Sequence, residues 1–346
     1  MSPDQVLFTA AKVLFAVLGA GLGISAFLGW VERKQSAMMQ DRIGANRAAI
    51  FGVNIIGLFH PIADAIKLLT KEDFVPVGAH KPLHGLAPMI SLGCAMFCLA
   101  AMPYGGVIEF AGRAWDLQPI ALSMGVPFVL AALGFGVHGI FMAGYASGSN
   151  YGLLGAMRGA AQMIAYEVCL GSSVAGVLFL YGTLDLQAAV SWQAAHGVWG
   201  IVLQPLAFVL FLTAGAAVTK RAPFDLPEGE SEIVGYHVEY SGMKFGMFLM
   251  TDFFESIVIC ALIAALFLGG WTIPFLDLPS MGPLGGALML ASFLGKVMLL
   301  LFLLMQIRWT LPRLRFDQLL ALGWKNLLPL SLVNFIITVW AVYLWR

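Results

Sequence analysis

Residues 290–307 read LASFLGKVMLLLFLLMQI, eighteen residues with a single charge at Lys296. The apolar positions run together instead of alternating, and strands of membrane barrels alternate over about ten residues, so the run belongs to a helix. A helix needs about 20 mostly apolar residues to cross a hydrocarbon core. Runs of this kind recur along the chain and predict eight membrane-spanning helices near 6–29, 86–103, 119–143, 152–182, 198–217, 244–270, 284–306 and 326–345. Lipid offers no partners for backbone amides, so such a chain folds as an all-α polytopic bundle.

Composition agrees with this class. The 346 residues are 60% hydrophobic and 11% charged, with 19 basic residues balanced by 19 acidic ones. A single membrane domain over 1–346 is expected, without linker or internal repeat, and nucleic acid is not an expected partner. The connections 30–85, 144–158, 218–244 and 307–325 hold 7, 1, 3 and 4 of the basic residues, which places them on the cytoplasmic side and both termini on the periplasmic side. The N-terminal MSPDQ has no basic stretch ahead of the first span, so 6–29 reads as a retained helix, not a cleaved signal.

Cys94, Cys98, Cys169 and Cys260 show no CxxC or Cys/His spacing, the six histidines form no ligand cluster, and no Gly-rich nucleotide fingerprint is present. No prosthetic group is expected on this chain alone. In the first connection, NIIGLFHPIADAIKLLTKED (54–73) sets apolar positions against Asp64, Lys67 and Lys71 in an amphipathic helical pattern. Such a helix lies in the membrane interface. It serves either as a surface cover or as part of a portal, and Pro61 is expected to weaken it locally.

Ionisable residues inside spans are expensive and mark functional candidates. Glu167 is nine residues from Arg158, half a revolution away, so those two cannot pair within their helix. Glu167 either meets a partner on another helix or serves as a proton-relay carboxylate. Asp252 and Glu255 are three apart and share a helix face. Lys296 either has a structural role or joins the relay. The stretch 219–245, TKRAPFDLPEGESEIVGYHVEYSGMKF, gathers Asp225, Glu228, Glu230, Glu232 and Glu239. Pro227 suits the first turn of a short helix with Asp225 near its N-cap. Interleaved Phe224, Leu226, Ile233, Val234, Tyr236 and Tyr240, beside Lys220 and Arg221, predict a buried charged cavity at the membrane surface.

Four stretches in this order carry a resemblance: GWVERKQSAMMQDRIGANR with HPIADAIKLLTKED, GYASGSNYGLLGAMRGAAQMIAYE, KRAPFDLPEGESEIVGYHVEYSGMKF and IRWTLPRLRFDQLLALGWKNLLPLSL. They resemble the H-subunit family of the proton-pumping NADH:quinone oxidoreductase, respiratory complex I, the counterpart of mitochondrial NADH dehydrogenase subunit 1. The resemblance implies a non-catalytic subunit of a translocase that lines a quinone tunnel between the peripheral and membrane arms. Quinone is then the substrate of the complex, while FMN and iron–sulfur clusters sit on partner subunits. The implied partners are the hydrogenase-like quinone-site subunit, the iron–sulfur subunit next to the quinone, and the small membrane subunits A, J and K, with membrane lipid around them.

Carried over residue by residue, Glu32, Arg33, Arg42, Asp64, Lys67, Arg221, Phe224 and Arg308 match the tunnel and its portal. Asp225, Glu228, Glu230, Glu232, Glu167, Asp252, Glu255 and Arg158 match the proton-coupling set, with 218–243 as the coupling loop. Reduction would place negative charge in the cavity and drive proton uptake by nearby carboxylates. The chain departs from the family where Ala217-Val218-Thr219-Lys220-Arg221 replaces the usual Ala-Glu-x-Asn-Arg, with Asn150 where lysine is frequent and Ala45 where proline is usual. Gly- and Ala-rich usage favours a bacterial inner membrane over a mitochondrial one. Two other functions compete: the equivalent membrane subunit of an ion-pumping hydrogenase, which need not keep the FDLPEGESE loop, and a stand-alone secondary transporter, which needs no partners.

Overall fold

The computed structural model describes residues 3–50, 52–110, 113–274, 276 and 281–345. In chain order, α1 (Pro3–Leu14) continues through a π-helical stretch, Phe15–Gly23, into α2 (Ile24–Met39). There follow α3 (His60–Thr70), α4 (Lys81–Ala100), the strands β1 (Val107–Phe110) and β2 (Arg113–Asp116), α5 (Gly125–Ala146) and α6 (Asn150–Tyr181). Next come α7 (Leu186–His196), α8 (Gly200–Leu203), α9 (Pro205–Val218), α10 (Glu230–Ile233) and α11 (Gly242–Phe267). The chain ends with α12 (Gly282–Thr310), α13 (Phe316–Ala321), a second π-helical stretch and α14 (Leu328–Trp345). Among the described residues, seven helical segments are long and apolar enough to cross a bilayer, as an all-α polytopic membrane protein requires.

Helix α11 is the axis of the bundle. Every residue from Phe254 to Phe267 is buried, so this helix is covered all round. It packs on α4, α9 and α12, while α5 and α6 complete the ring and α9 and α14 pack on α6. The large apolar side chains left uncovered, such as Phe97, Leu299 and Ile336, lie on the outer spans, where lipid is their solvent. Close helix contact relies on small residues: a Cβ at Gly144 of α5 would collide with that of Ala156 on α6.

The structure moves several expected boundaries. The first span does not stop at residue 29; the helix runs on to Met39, with Gln35, Ser36 and Ala37 buried, and carries Glu32 and Arg33 as helical residues. The expected span 198–217 is broken into α8 and α9 at Gln204, whose φ of −135° and ψ of 60° are not helical. The cause is Pro205, which disfavours helical backbone at the residue before it. Pro61 does not weaken α3, because it sits in the first turn, where its missing N–H costs nothing. The antiparallel hairpin β1–β2, in the register Val107 to Asp116, and helix α7 fill connections that carried no periodic signal.

Lys296 resolves to a structural role. Its ammonium donates to the carbonyls of Leu268, Gly270 and Thr272 at 2.8, 2.9 and 2.7 Å and lies 4.9 Å from the centre of the Trp199 ring. These carbonyls follow the end of α11, where the helix leaves acceptors unpaired and the dipole favours a cation. An ammonium has three donors, and all three are used. Lys296→Met should strand those acceptors, at roughly 1–3 kcal/mol each if they stay dry. The expected outcome is a lower thermal midpoint of the purified protein, measured by intrinsic fluorescence; an unchanged midpoint would contradict the capping role.

Candidate functional site

The sequence-predicted residues separate into an open cleft and a buried cluster behind it. The cleft, of about 730 Å³, lies between α2, α3 and the first half of α11, and Glu32, Arg33, Arg42 and Asp64 are the charged groups of its largely apolar wall. Arg33 and Asp64 join α2 to α3 at 2.6 Å, both about half exposed, so the pair positions the helices more than it stabilises them. Lys67 is exposed and does not line the cleft.

Helix α3 has no buried residue, and the segment that follows it is tied to the start of α11. Ser241 donates to the Glu72 carbonyl at 2.8 Å, Lys244 reaches Asp73 at 2.9 Å, and Gly242 takes a φ of +58° with its α-carbon face against the Lys71 carbonyl. The start of α11 thereby fixes the far end of α3.

At the inner wall Glu32 accepts two guanidinium groups. Arg221 reaches one oxygen at 2.9 Å, and Arg308 donates to the other. Arg221 also lies over the Phe253 ring at 4.1 Å, which fixes its plane. A void of about 20 Å³ borders Thr219, Arg221, Ser256 and Arg308. This is about the room one water needs, among groups able to bind it.

Behind this wall the chain turns sharply. Lys220 has a φ of +53°, and its side chain, 1% exposed, points into the bundle while Arg221 faces Glu32. Its Nζ stands 2.9 Å from Asp252 Oδ1 and 3.3 Å from Glu255 Oε2, charge contacts whose angles fall short of hydrogen bonds. Asp252 and Glu255 share a face, as their spacing predicts, and both are buried. Burial opposes the Lys220 charge, but Asp252, Glu255 and Glu228 outweigh it and raise the ammonium above the usual lysine range.

Glu228 and Asp225 stand on the loop side of the cluster. Burial, then the charge of Asp252, pushes the Glu228 carboxyl well above the usual range against the pull of Lys220, and its ion-pair contact among the described residues is His237 at 3.8 Å. Burial likewise pushes Asp225 up to about 6, against the pull of Arg313, Arg308 and Arg221. Arg313 also donates to the Asp225 carbonyl. Phe224 is buried against Tyr166, and its carbonyl accepts from Gln162 at 2.8 Å. The loop has only a four-residue helix, α10, preceded by Gly229, and Pro227 is not in its first turn as expected. Pro227 instead packs against Gly155 and Gly159 of α6, which draws it out of helical register.

Glu232 is not in the cluster. It extends to Arg158 at 2.8 Å, keeps 42% of its side-chain surface, and thereby also accounts for Arg158. The side chain of Glu230 lies outside the described residues. Glu167 stands within electrostatic reach of Glu255, with one buried oxygen lacking a partner among the described residues and the other filling the space a Cβ at Gly134 would need. Sequence reasoning missed the position of Lys220 between two acids, the approach of His237 to Glu228 and the hold of Arg313 on Asp225. Among the described residues no group of three or more His, Cys, Asp or Glu stands ready to hold a metal.

The family model for NADH dehydrogenase matches residues 11–339, which include every residue of the cleft and the cluster. The chain belongs to this family. It is 44% identical to the NADH-quinone oxidoreductase H subunit 1 of Geobacter metallireducens over 335 residues, 96% of this chain and 95% of that protein. It is 43% identical to the NADH-quinone oxidoreductase H subunit of Thermomicrobium roseum over 339 residues, 95% of each chain. The NADH-quinone oxidoreductase subunit 8 of Rhodothermus marinus is 39% identical over 354 residues, 99% of each. The resemblance carried by the four motifs therefore extends over nearly the whole chain.

Folded Asp225 keeps its proton to about pH 6, whereas an ordinary aspartate loses it near 3.8. The folded state binds more protons in that window, so its stability falls as pH rises through it. Glu228 acts in the same direction. Amide exchange in 219–241 of the detergent-purified protein, corrected for intrinsic rates, should show less protection at pH 7 than at pH 4.5. Asp225→Asn should flatten the lower part of that change; a rise in protection with pH would contradict the assignment.

Proposed function

We propose that this chain is the membrane subunit of an NADH:quinone oxidoreductase, lining the quinone site and coupling quinone reduction to proton translocation. The observation that carries the reading is the placement of consecutive residues: Arg221 faces the cleft through Glu32, and Lys220 faces the buried acids Asp252 and Glu255. One turn of backbone thus joins a wide, mostly apolar cleft to a buried acidic interior.

In this reading the isoprenoid quinone enters between α2, α3 and α11, with Arg33, Arg42 and Asp64 at the rim. Electrons come from FMN and iron–sulfur clusters on partner subunits, among them the hydrogenase-like and iron–sulfur subunits beside the quinone, and the small subunits A, J and K adjoin in the membrane. Reduction adds negative charge at the cleft, which competes with Glu32 for Arg221 and Arg308. Weakening that hold changes the field on Asp225 and Glu228, carboxyls already raised by burial and poised to take up a proton. Asp252, Glu255 and Glu167 then continue the route into the membrane. The loops carrying basic residues face the cytoplasm of a bacterial cell, and the termini face the periplasm.

The test uses the whole complex in native membranes. Wild type should show NADH-driven quinone reduction, sensitive to rotenone or piericidin, with proton uptake. Arg308→Ala removes one charged hold on Glu32 and should raise the apparent KM for long-tailed quinones about tenfold, the equivalent of about 1.4 kcal/mol. Glu228→Gln should slow coupled turnover without loss of assembly, and more than Glu232→Gln, whose carboxylate pairs with Arg158. Hydrogen evolution without quinone reduction by the wild-type complex would sink the proposal and favour the hydrogenase relative.

A further inference from the structure

Lys220 stands where a lysine is costly in two ways. Its backbone is left-handed, a region that side chains other than glycine and asparagine enter at a cost. Its charged end is buried, which takes an ammonium out of water. Neither cost is needed to make the turn, so the side chain must do something that offsets both. The Lys220 ammonium is shared between Asp252 and Glu255, and a further near neighbour is the Tyr236 ring at 5.9 Å.

Charges reach this ammonium from every side. Helix α11 supplies Asp252 and Glu255, the loop supplies Asp225, Glu228, Tyr236 and His237, and α6 supplies Glu167 through Glu255. Arg221, Arg308 and Arg313 act on Asp225 of the same loop, and Cys94 of α4 is near Glu255. Yet the ion pairs divide this set unequally. Asp252 and Glu255 have the ammonium, whereas the ion pairing of Glu228 among the described residues is one long contact to His237.

We propose that Lys220 selects which carboxylate takes up the proton: by holding Asp252 and Glu255 together as anions on one ammonium, it leaves Glu228 as the acceptor. Lys220 is thus a positioning residue, and the proposal rests on the proton-coupling reading above. The charge count supports it. One cation between two carboxylates leaves a net charge of about −1 in a poorly solvated space, and ionised Glu228 would add a second negative charge there. Without Lys220, two acids three residues apart would resist double ionisation, and one of them would hold the proton instead.

The experiment compares Lys220→Met, Lys220→Asn and Lys220→Arg in the whole complex, each with and without Glu228→Gln. The readouts are the pH profile of coupled NADH:quinone reduction and proton uptake per NADH. Lys220→Asn suits a left-handed position and keeps the test valid where the methionine variant fails to assemble. In either neutral variant the alkaline limb should move up by about one pH unit or more, because loss of a cation favours protonated acids. The KM for quinone should stay unchanged, and Glu228→Gln, harmful in the wild type, should add little. Lys220→Arg should keep the wild-type profile. Neutral variants with the wild-type profile and full sensitivity to Glu228→Gln would overturn the proposal, as would an arginine variant that behaves like the neutral ones. A wild-type complex that reduces quinone without proton uptake would instead overturn the coupling reading itself.

Discussion

The contact between the Lys220 ammonium and the carboxylates of Asp252 and Glu255 is the constraint on which the loop half of the structure depends. All three groups are nearly stripped of water, with 1%, 10% and 3% of their side-chain surface left. Removing one partner from such a set leaves a buried charge uncompensated, which costs far more than a surface pair would. The loop 219–241 therefore cannot lift from α11 without exposing Asp252 and Glu255 or stranding Lys220. That single tie sets where Phe224, Asp225 and Glu228 stand, and it orients Arg221 outward to Glu32.

The same tie explains why α11 is the central helix. A helix that is apolar all round needs only partners, but one carrying two acids also needs a cation brought to the correct level. The residues directly after α9 bring it, so α9 and α11 must run side by side at that height. Past the last residue of the helix Lys296 does the equivalent for backbone: it closes the acceptors left after Phe267. Two lysines from two other segments thus hold one helix, by charge at its middle and by carbonyl contacts just past its last residue.

Much of the fold was legible in the sequence because its signal is local. Apolar run length marks spanning helices, the pattern of 54–73 marks α3, and a spacing of three places Asp252 and Glu255 on one face. What was not legible depends on residues far apart. Glu32 meets Arg308 across 276 positions, and Glu232 meets Arg158 across 74. No spacing rule links such residues. The break at Gln204 did have a local signal in Pro205, which the hydropathy of the surrounding run concealed. The partners of Lys296 are carbonyls, which every residue carries, so no sequence pattern could name them. Glu232 shows the limit of composition: an acid-rich stretch looks like one cluster, yet one arginine on α6 draws this member out of it.

The arrangement of cations also bears on Glu167. Lys296 is fully engaged with carbonyls, and Lys220 is divided between Asp252 and Glu255. Arg158, the base on the same helix as Glu167, is committed to Glu232. Glu167 is therefore left with a buried oxygen that has no partner among the described residues. Three carboxylates and one shared ammonium then occupy neighbouring positions on α6, α11 and the loop edge. Within that set Glu167 is the carboxylate that has no ammonium at ion-pair distance among the described residues. Arg221 is next to Lys220 in the chain, so the hold on Glu32 at the cleft wall and the cation that Asp252 and Glu255 share are set by the same turn of backbone.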